Sequence, residues 1–250
     1  MTSLADRRAA FRALHRGGCF VLPNPWDGRS AAAMAKAGFP ALASTSAGAA
    51  WALGVEDGAM SVDQVLAHLR FLCGVIELPV NADFEAGFAD TPEGVGANVA
   101  RCVETGVAGL SIEDRDGQTL FPLEAAVARL RAARAVIDAS GTGVVLVGRC
   151  EAYLMASLDM GEVLRRLRAY AEAGADCLYA PGLRTLDAVA EVVRSVDRLV
   201  NANLTATGLS VADMAGVGVR RVSVGAALAQ ATYGALDGYV ARLASDGRLP

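Results

Sequence analysis

The segment VETGVAGLSIEDRDG, from Val103 to Gly117, joins three signals in one short run. A helical stretch ends at Gly106, an aliphatic run follows from Gly109 to Glu113, and that run ends in Glu113-Asp114-Arg115. A glycine between the two is the usual left-handed stop of a helix. The arrangement recurs as AKAGFPAL around Gly38, AEAGADCL around Gly174 and AGVGVRRV around Gly218. The first two intervals between these glycines are equal and the third is shorter, so the repeat is suggestive rather than strict.

Extended in both directions, the pattern gives eight strands: Cys19–Pro23, Ala41–Thr45, Pro79–Asp83, Gly109–Glu113, Val144–Gly148, Asp176–Tyr179, Leu199–Ala202 and Arg221–Val224. Stretches of helical period lie between them. Pro122–Ala139 places Leu123, Val127, Leu130, Ala133 and Ile137 on one face. Leu158–Ala173 does the same with Met160, Val163, Leu164, Leu167 and Tyr170. Pro122 suits a first helical turn, and Asp27 suits the N-cap of a helix running through Ala37. Strands alternating with helices predict a parallel sheet covered by helices. Eight such units in 250 residues predict an α/β fold, a single (β/α)₈ TIM-type barrel domain spanning residues 1–250. No Pro- or Ser-rich linker interrupts it.

Composition narrows the function classes. The chain is 53% hydrophobic with a formal net charge of −4, and its arginines are scattered, which disfavours a nucleic-acid partner. No apolar run approaches the ~20 residues of a membrane span. The arginines in the first twenty residues resemble a transit peptide. Asp6 and the direct run into a strand favour a plain helix ahead of the barrel, and a cytoplasmic protein is expected. Five cysteines form an odd set without a C-x-x-C pair, so reduced and mostly buried thiols are expected.

In a barrel of this type the working residues lie at the C-terminal strand ends. Those ends read Asn24-Pro25-Trp26-Asp27, Ser44-Thr45-Ser46, Asn81-Ala82-Asp83-Phe84-Glu85-Ala86-Gly87, Glu113-Asp114-Arg115, Arg149-Cys150-Glu151 and Asn203-Leu204-Thr205. Asp83, Glu85 and Glu113 sit on neighbouring strands and should converge. Crowded carboxylates need a cation or arginines, and an all-oxygen donor set favours Mg²⁺ or Mn²⁺ over zinc. The plainer alternative is that they pair with Arg115 and Arg149. Arg149 should enter the barrel mouth, where its fork suits a substrate carboxylate; a salt bridge to Glu151 or Glu113 is the competing reading. Ser44, Thr45 and Ser46 offer hydroxyl and amide donors, or are simply a polar turn.

The scarce residues exclude mechanisms. Lys36 is the only lysine and falls in the last turn of the first barrel helix, so a Schiff-base route is closed. His15 and His68, the only histidines, fall within helices, which disfavours histidine catalysis and His-ligated zinc. Cys150 is the thiol nearest the mouth, and strand alternation turns it into the core. Carboxylate, arginine and metal remain: Lewis-acid chemistry on an oxyanion.

At NPWD, STSAG, NADFEAGF, SIEDRDG, GRCEAY and NANLT, in that order, the chain resembles the isocitrate lyase/phosphoenolpyruvate mutase superfamily over about residues 18–230. The resemblance implies a (β/α)₈ barrel whose last helix is often swapped onto a partner, hence a homodimer or homotetramer. It also implies bound Mg²⁺ and an enolate formed from a small 2-oxo or 2-hydroxy acid. By position, Glu85 matches the main metal carboxylate, with Asp83, Asp57 and Glu113 supporting it directly or through water. Arg149, Glu113 and Asp57 are then the catalytic set. Thr45, Ser46 and Ala47 match the turn that holds the substrate, while Asn203 and Thr205 match a polar strand end seen in lyases. The lyase K-[KR]-C-G-H loop is absent: residues 114–122 read DRDGQTLFP, short and without cysteine. The lysine, asparagine and histidine of the phosphoenolpyruvate mutases are also missing, the last at about Pro181. The expectation is a Mg²⁺-dependent carbon–carbon lyase or decarboxylase. Phosphonate or carboxyphosphonate mutase or hydrolase chemistry is the first alternative, and a barrel that binds oxo acids without turnover is the second.

Overall fold

The computed structural model describes residues 2–117, 119–155, 159–204 and 208–248. Chain order runs α1 (Leu4–Leu14), β1 (Phe20–Leu22), α2 (Gly28–Lys36), β2 (Leu42–Ala43), α3 (Ser46–Ala52), α4 (Val62–Val75), β3 (Val80–Asp83), α5 (Pro92–Glu104) and β4 (Gly109–Glu113). A hairpin of β5 (Arg115–Asp116) and β6 (Thr119–Leu120) follows. Then come α6 (Leu123–Ser140), β7 (Val145–Arg149), α7 (Met160–Glu172), β8 (Cys177–Tyr179), α8 (Leu186–Ser195), β9 (Leu199–Asn203), α9 (Val211–Gly216), β10 (Arg221–Ser223) and α10 (Ala227–Asp246).

Eight of these strands form one parallel sheet in the order β1-β10-β9-β8-β7-β4-β3-β2. Its two ends meet where the Ala43 N–H donates to the Pro23 carbonyl at 3.0 Å, which makes the sheet a nearly closed barrel. All eight expected strands are present. The expected helix from Leu158 begins at Met160 with Asp159 as its N-cap; Leu158 itself lies outside the described residues. Asp27 caps α2 in a reciprocal box with Ser30. Gly38, Gly106, Gly174 and Gly218 all have φ between 85° and 100°, the conformation that ends a helix and turns the chain into the next strand.

The barrel interior is layered. Phe11 of α1 is fully buried and seals the lower end with Phe20, Leu22, Ala41, Ala43, Ala108 and Val145. Gly109 leaves the space for it: a Cβ there would lie 2.7 Å from the Phe11 ring and 2.6 Å from Asn81 Oδ1. The helix ahead of the barrel is therefore its plug. Above that apolar layer the inward side chains turn polar, and the C-terminal strand ends open into a cavity.

α10 is built differently. Of its twenty residues only Ala229 is buried, while Leu236, Tyr239, Val240 and Leu243 are about half exposed. No helix among the described residues is long and apolar enough to cross a membrane.

Candidate active site

A cavity of about 460 Å³ opens at the C-terminal strand ends. Thr45, Ser46, Ala47, Asp57, Asp83, Arg149 and Asn203 all line it, so most of the expected site residues meet there. Thr205 lies outside the described residues. Glu85 and Glu113 line an adjoining cavity together with Arg115 and Asp57, which borders both.

Thr45 is the N-cap of α3, its side chain accepting from the Gly48 N–H, and so begins a short helix rather than a plain polar turn. The first amide of that helix, Ser46 N–H, donates to Asp83 Oδ2 at 3.1 Å, while Ser44 Oγ accepts from the Asp83 N–H at 2.8 Å. The end of β3 is thereby tied to the end of β2. Asn24 completes the rim: its amide donates to the Ser44 carbonyl, and its oxygen accepts from Val224 and Gly225, each bond 2.9 Å.

Arg149 is the electrostatic hub. Its Nε donates to Glu151 Oε1 at 2.5 Å, and its Nη1 lies 3.1 Å from Asp83 and 3.3 Å from Glu113. The competing salt-bridge reading is thus correct as geometry. Nη2 has no acceptor among the described residues and leaves a donor for a substrate. Glu151 is fully buried. Its Oε2 has no hydrogen bond and lies 3.4 Å from Arg115 Nε. Its backbone N–H is anchored by Asp114, which also accepts from Arg166 and from the Tyr170 hydroxyl. From the sequence Glu151 is expected only as a salt-bridge partner of Arg149, and Asp114 has no expected role.

The expected convergence of Asp83, Glu85 and Glu113 needs correction. Among the described residues no three acidic, histidine or cysteine side chains meet at metal-ligating distance. Glu85 sits at φ 43°, within a turn that also holds Gly87 at 86° and Phe88 at 56°, and this turn points it into the adjoining cavity. Positive φ at two non-glycine residues is strained and persists because the surroundings enforce it. Arg129 of α6 does so, donating to the carbonyls of Ala86, Ala89 and Asp90.

The acids remain coupled through space. Burial, with the like charges of Asp83, Glu113 and Asp57, pushes the Glu85 carboxyl up to about 8. Burial also raises Glu113 to about 7, with Glu151 and Asp83 adding to the effect and Arg149 and Arg115 opposing it. Five carboxylates (Asp57, Asp83, Glu85, Glu113 and Glu151) face two guanidiniums, and the Glu85 carboxylate has no hydrogen bond or ion pair among the described residues. An all-oxygen set with surplus negative charge fits a hard dication, with part of the shell supplied by water.

On the remaining walls, Asn203 Oδ1 is buried without a hydrogen-bond partner. Burial pushes the Tyr179 hydroxyl up to about 12. Cys150 is fully buried, and burial beside Asp114 raises its thiol far above the ordinary range. All five cysteines are unpaired. Lys36 is exposed at the far end of α2, away from both cavities.

Residues 11–244 match the family model described as phosphoenolpyruvate phosphomutase. The chain belongs to that family. An uncharacterised protein of Mycobacterium tuberculosis is 32% identical over 93% of this chain and 87% of its own length. The 2-methylisocitrate lyase of Escherichia coli is 31% identical over 69% of this chain and 61% of the enzyme. An oxaloacetate decarboxylase of Rhodopseudomonas palustris is 32% identical over 72% and 65%. Among solved structures, a candidate lyase/mutase of Burkholderia cenocepacia superposes with a TM-score of 0.95 and 42% identity, covering 98% of this chain and 91% of that one. A 2,3-dimethylmalate lyase of the same superfamily gives 0.87 and 26%, covering 99% and 89%. A phosphonopyruvate hydrolase solved with oxalate and Mg²⁺ gives 0.87 and 26%, covering 96% and 88%.

Proposed function

We propose that this chain is a Mg²⁺-dependent carbon–carbon lyase or decarboxylase for a small 2-oxo or 2-hydroxy carboxylic acid, with a dicarboxylate such as oxaloacetate favoured. The carrying observation is the division of the main cavity. Asp57 and Asp83 stand on the side that adjoins Glu85 and Glu113 of the second cavity, amide, hydroxyl and guanidinium donors form the other walls, and the described lining of the main cavity holds no lysine, histidine or thiol. Asp57, Asp83, Glu85 and Glu113 are the residues that would hold Mg²⁺, or Mn²⁺, some of them through water. When bound, the ion supplies Lewis-acid stabilisation of the negative charge that develops on the substrate oxygen.

The chain's own residues bind and orient. Thr45, Ser46 and Ala47, at the start of α3, present hydroxyl and backbone donors to the carboxylate and oxo group. Arg149 turns its unused Nη2 to the same carboxylate, while Glu113, Glu151 and Asp83 fix the guanidinium plane. Asn203 offers an unpartnered acceptor to a substrate hydroxyl, with Thr205 placed beside it by sequence. Loss of CO₂ breaks its bond without a proton transfer from the protein, which suits a wall lacking lysine, histidine and thiol; retro-aldol cleavage needs in addition a carboxylate to take the substrate hydroxyl's proton.

Phosphonate or carboxyphosphonate chemistry is the second reading, favoured by the family model and by the likeness to a phosphonopyruvate hydrolase. Binding without turnover is the third, and the four acids facing the cavities argue against it. We also propose a homodimer or homotetramer in which a second copy covers the apolar stripe of α10. Unpaired cysteines accord with a cytoplasmic setting.

The test is proton NMR of the protein with Mg²⁺ and oxaloacetate, 2-methylisocitrate or 2,3-dimethylmalate, beside phosphorus NMR with phosphonopyruvate. Mg²⁺-dependent cleavage of a carbon acid is expected. Turnover of phosphonopyruvate alone would replace this reading with the second.

A further inference from the structure

The main cavity reaches a buried cation that the proposed chemistry leaves unused. Arg221, the first residue of β10, lines the cavity floor and is 3% exposed. Its Nε donates to Asn201 Oδ1 at 3.0 Å and its Nη1 to Asn81 Oδ1 at 3.3 Å. Those amides are themselves directed: Asn201 donates to Ser223 Oγ, and Asn81 to the Ala82 carbonyl, each at 3.0 Å. Nη2 has no acceptor, and no carboxylate lies within ion-pair distance of Arg221 among the described residues. The side chains coupled to it, Cys177, Tyr179 and His15, are neutral near pH 7, the last because burial and Arg221 itself lower it to about 4.

The other buried arginines are satisfied differently. Arg8 and Arg129 are held by backbone carbonyls, and Arg166 by Asp114 and Glu162. A guanidinium held by two amide oxygens and the face of the Phe11 ring at 5.9 Å has no anionic partner. A buried charge without a counterion is unfavourable unless a ligand supplies one. Arg149 is already matched by three acids, so the positive potential of the floor belongs to Arg221.

We infer that Arg221, aligned by Asn81 and Asn201, is an anion subsite that takes the distal carboxylate of a dicarboxylate substrate. The assignment of the near end rests on the proposed function; the floor subsite rests on the geometry of Arg221. The cavity then has two poles, the acids and α3 for the oxo-acid head and the barrel floor for the second carboxylate. The site selects dicarboxylates over monocarboxylates of equal length.

Calorimetric titration of the protein with Mg²⁺ tests this, using succinate, butyrate and oxalate as probes. Wild type should bind succinate more tightly than butyrate. Arg221→Gln should weaken succinate roughly tenfold or more, the scale of a charged hydrogen bond lost, and leave oxalate unchanged. Arg221→Lys serves as the second variant if the first does not fold; it keeps the charge without the fork, and intermediate succinate affinity is expected. Equal affinity of wild type for succinate and butyrate would overturn the subsite. So would equal weakening of succinate and oxalate, which is the signature of a structural strut. Failure of oxalate to bind wild type, with the succinate difference intact, would count against the metal-end reading and not against Arg221.

Discussion

Replacing Arg149 by methionine removes the cation that holds Asp83, Glu113 and Glu151 together. Glu151 is fully buried and Glu113 is 7% exposed, so neither can turn to solvent. Arg115 remains near both, at 3.0 Å from Glu113 and 3.4 Å from Glu151, and screens part of the repulsion. Breaking a buried pair by removing one partner costs about 3–5 kcal/mol. For a chain of this size that lowers the melting temperature by roughly 6–20 °C. Arg149→Lys keeps the charge but loses the fork, so the stability loss shrinks to about one charged hydrogen bond, ~1.5–3 kcal/mol. Its kcat still falls and its KM rises, because an ammonium cannot satisfy Glu151 and a substrate together. Mg²⁺ should raise the melting temperature of Arg149→Met more than that of wild type, since a dication takes over the neutralisation. The assay is differential scanning calorimetry with and without Mg²⁺. A methionine variant that melts with wild type, with the same Mg²⁺ increment, would refute the hub role.

Glu85, raised to about 8, is mostly protonated at neutral pH without metal. The stability of its neutral form is full below its ordinary value of 4.5 and is lost as pH rises through about 8. Mg²⁺ must displace that proton, so its affinity should rise up to about tenfold per pH unit below pH 8 and then level; calorimetry from pH 6 to 9 showing flat affinity would exclude this. Arg129→Met frees the carbonyls of Ala86, Ala89 and Asp90, and should weaken Mg²⁺ roughly tenfold, the usual scale for a group that orients metal ligands. Unchanged Mg²⁺ affinity would mean that the strained turn holds itself. Cys150→Ala should keep most activity, and thiol reagents should inhibit slowly; a hundredfold loss, about 2.7 kcal/mol, is too large for repacking and would make the thiol a proton donor.

Much of the barrel was legible because its signals are local. Each strand is an apolar run with a polar end, and Gly38, Gly106, Gly174 and Gly218 punctuate the helices that precede strands. The hairpin after β4 read only as a short loop, since its two-residue strands are too short to show alternation. Asp57 is an exposed loop residue that family resemblance alone placed near the acids. Long-range geometry was the harder part. Glu151 matters because strand pairing sets it under Arg149 and Arg115, and the turn that sends Glu85 into a second cavity depends on a clamp from α6. Arg221 opens a strand behind Arg220 and nothing local distinguishes the two; only the register against Asn201 and the bonds to Asn201 and Asn81 show that Arg221 points into the barrel.

Mg²⁺-dependent turnover of the carbon acid identified by NMR, measured for wild type, Asp83→Asn and Glu85→Gln, is the most direct test of a carboxylate-held metal. Wild type should lose activity on chelation and recover it with Mg²⁺. Asp83→Asn should be inactive at any Mg²⁺ concentration, and Glu85→Gln should be inactive at limiting Mg²⁺, both with the wild-type fold. Full activity of either variant at limiting Mg²⁺, or turnover by wild type that survives chelation, would contradict the account.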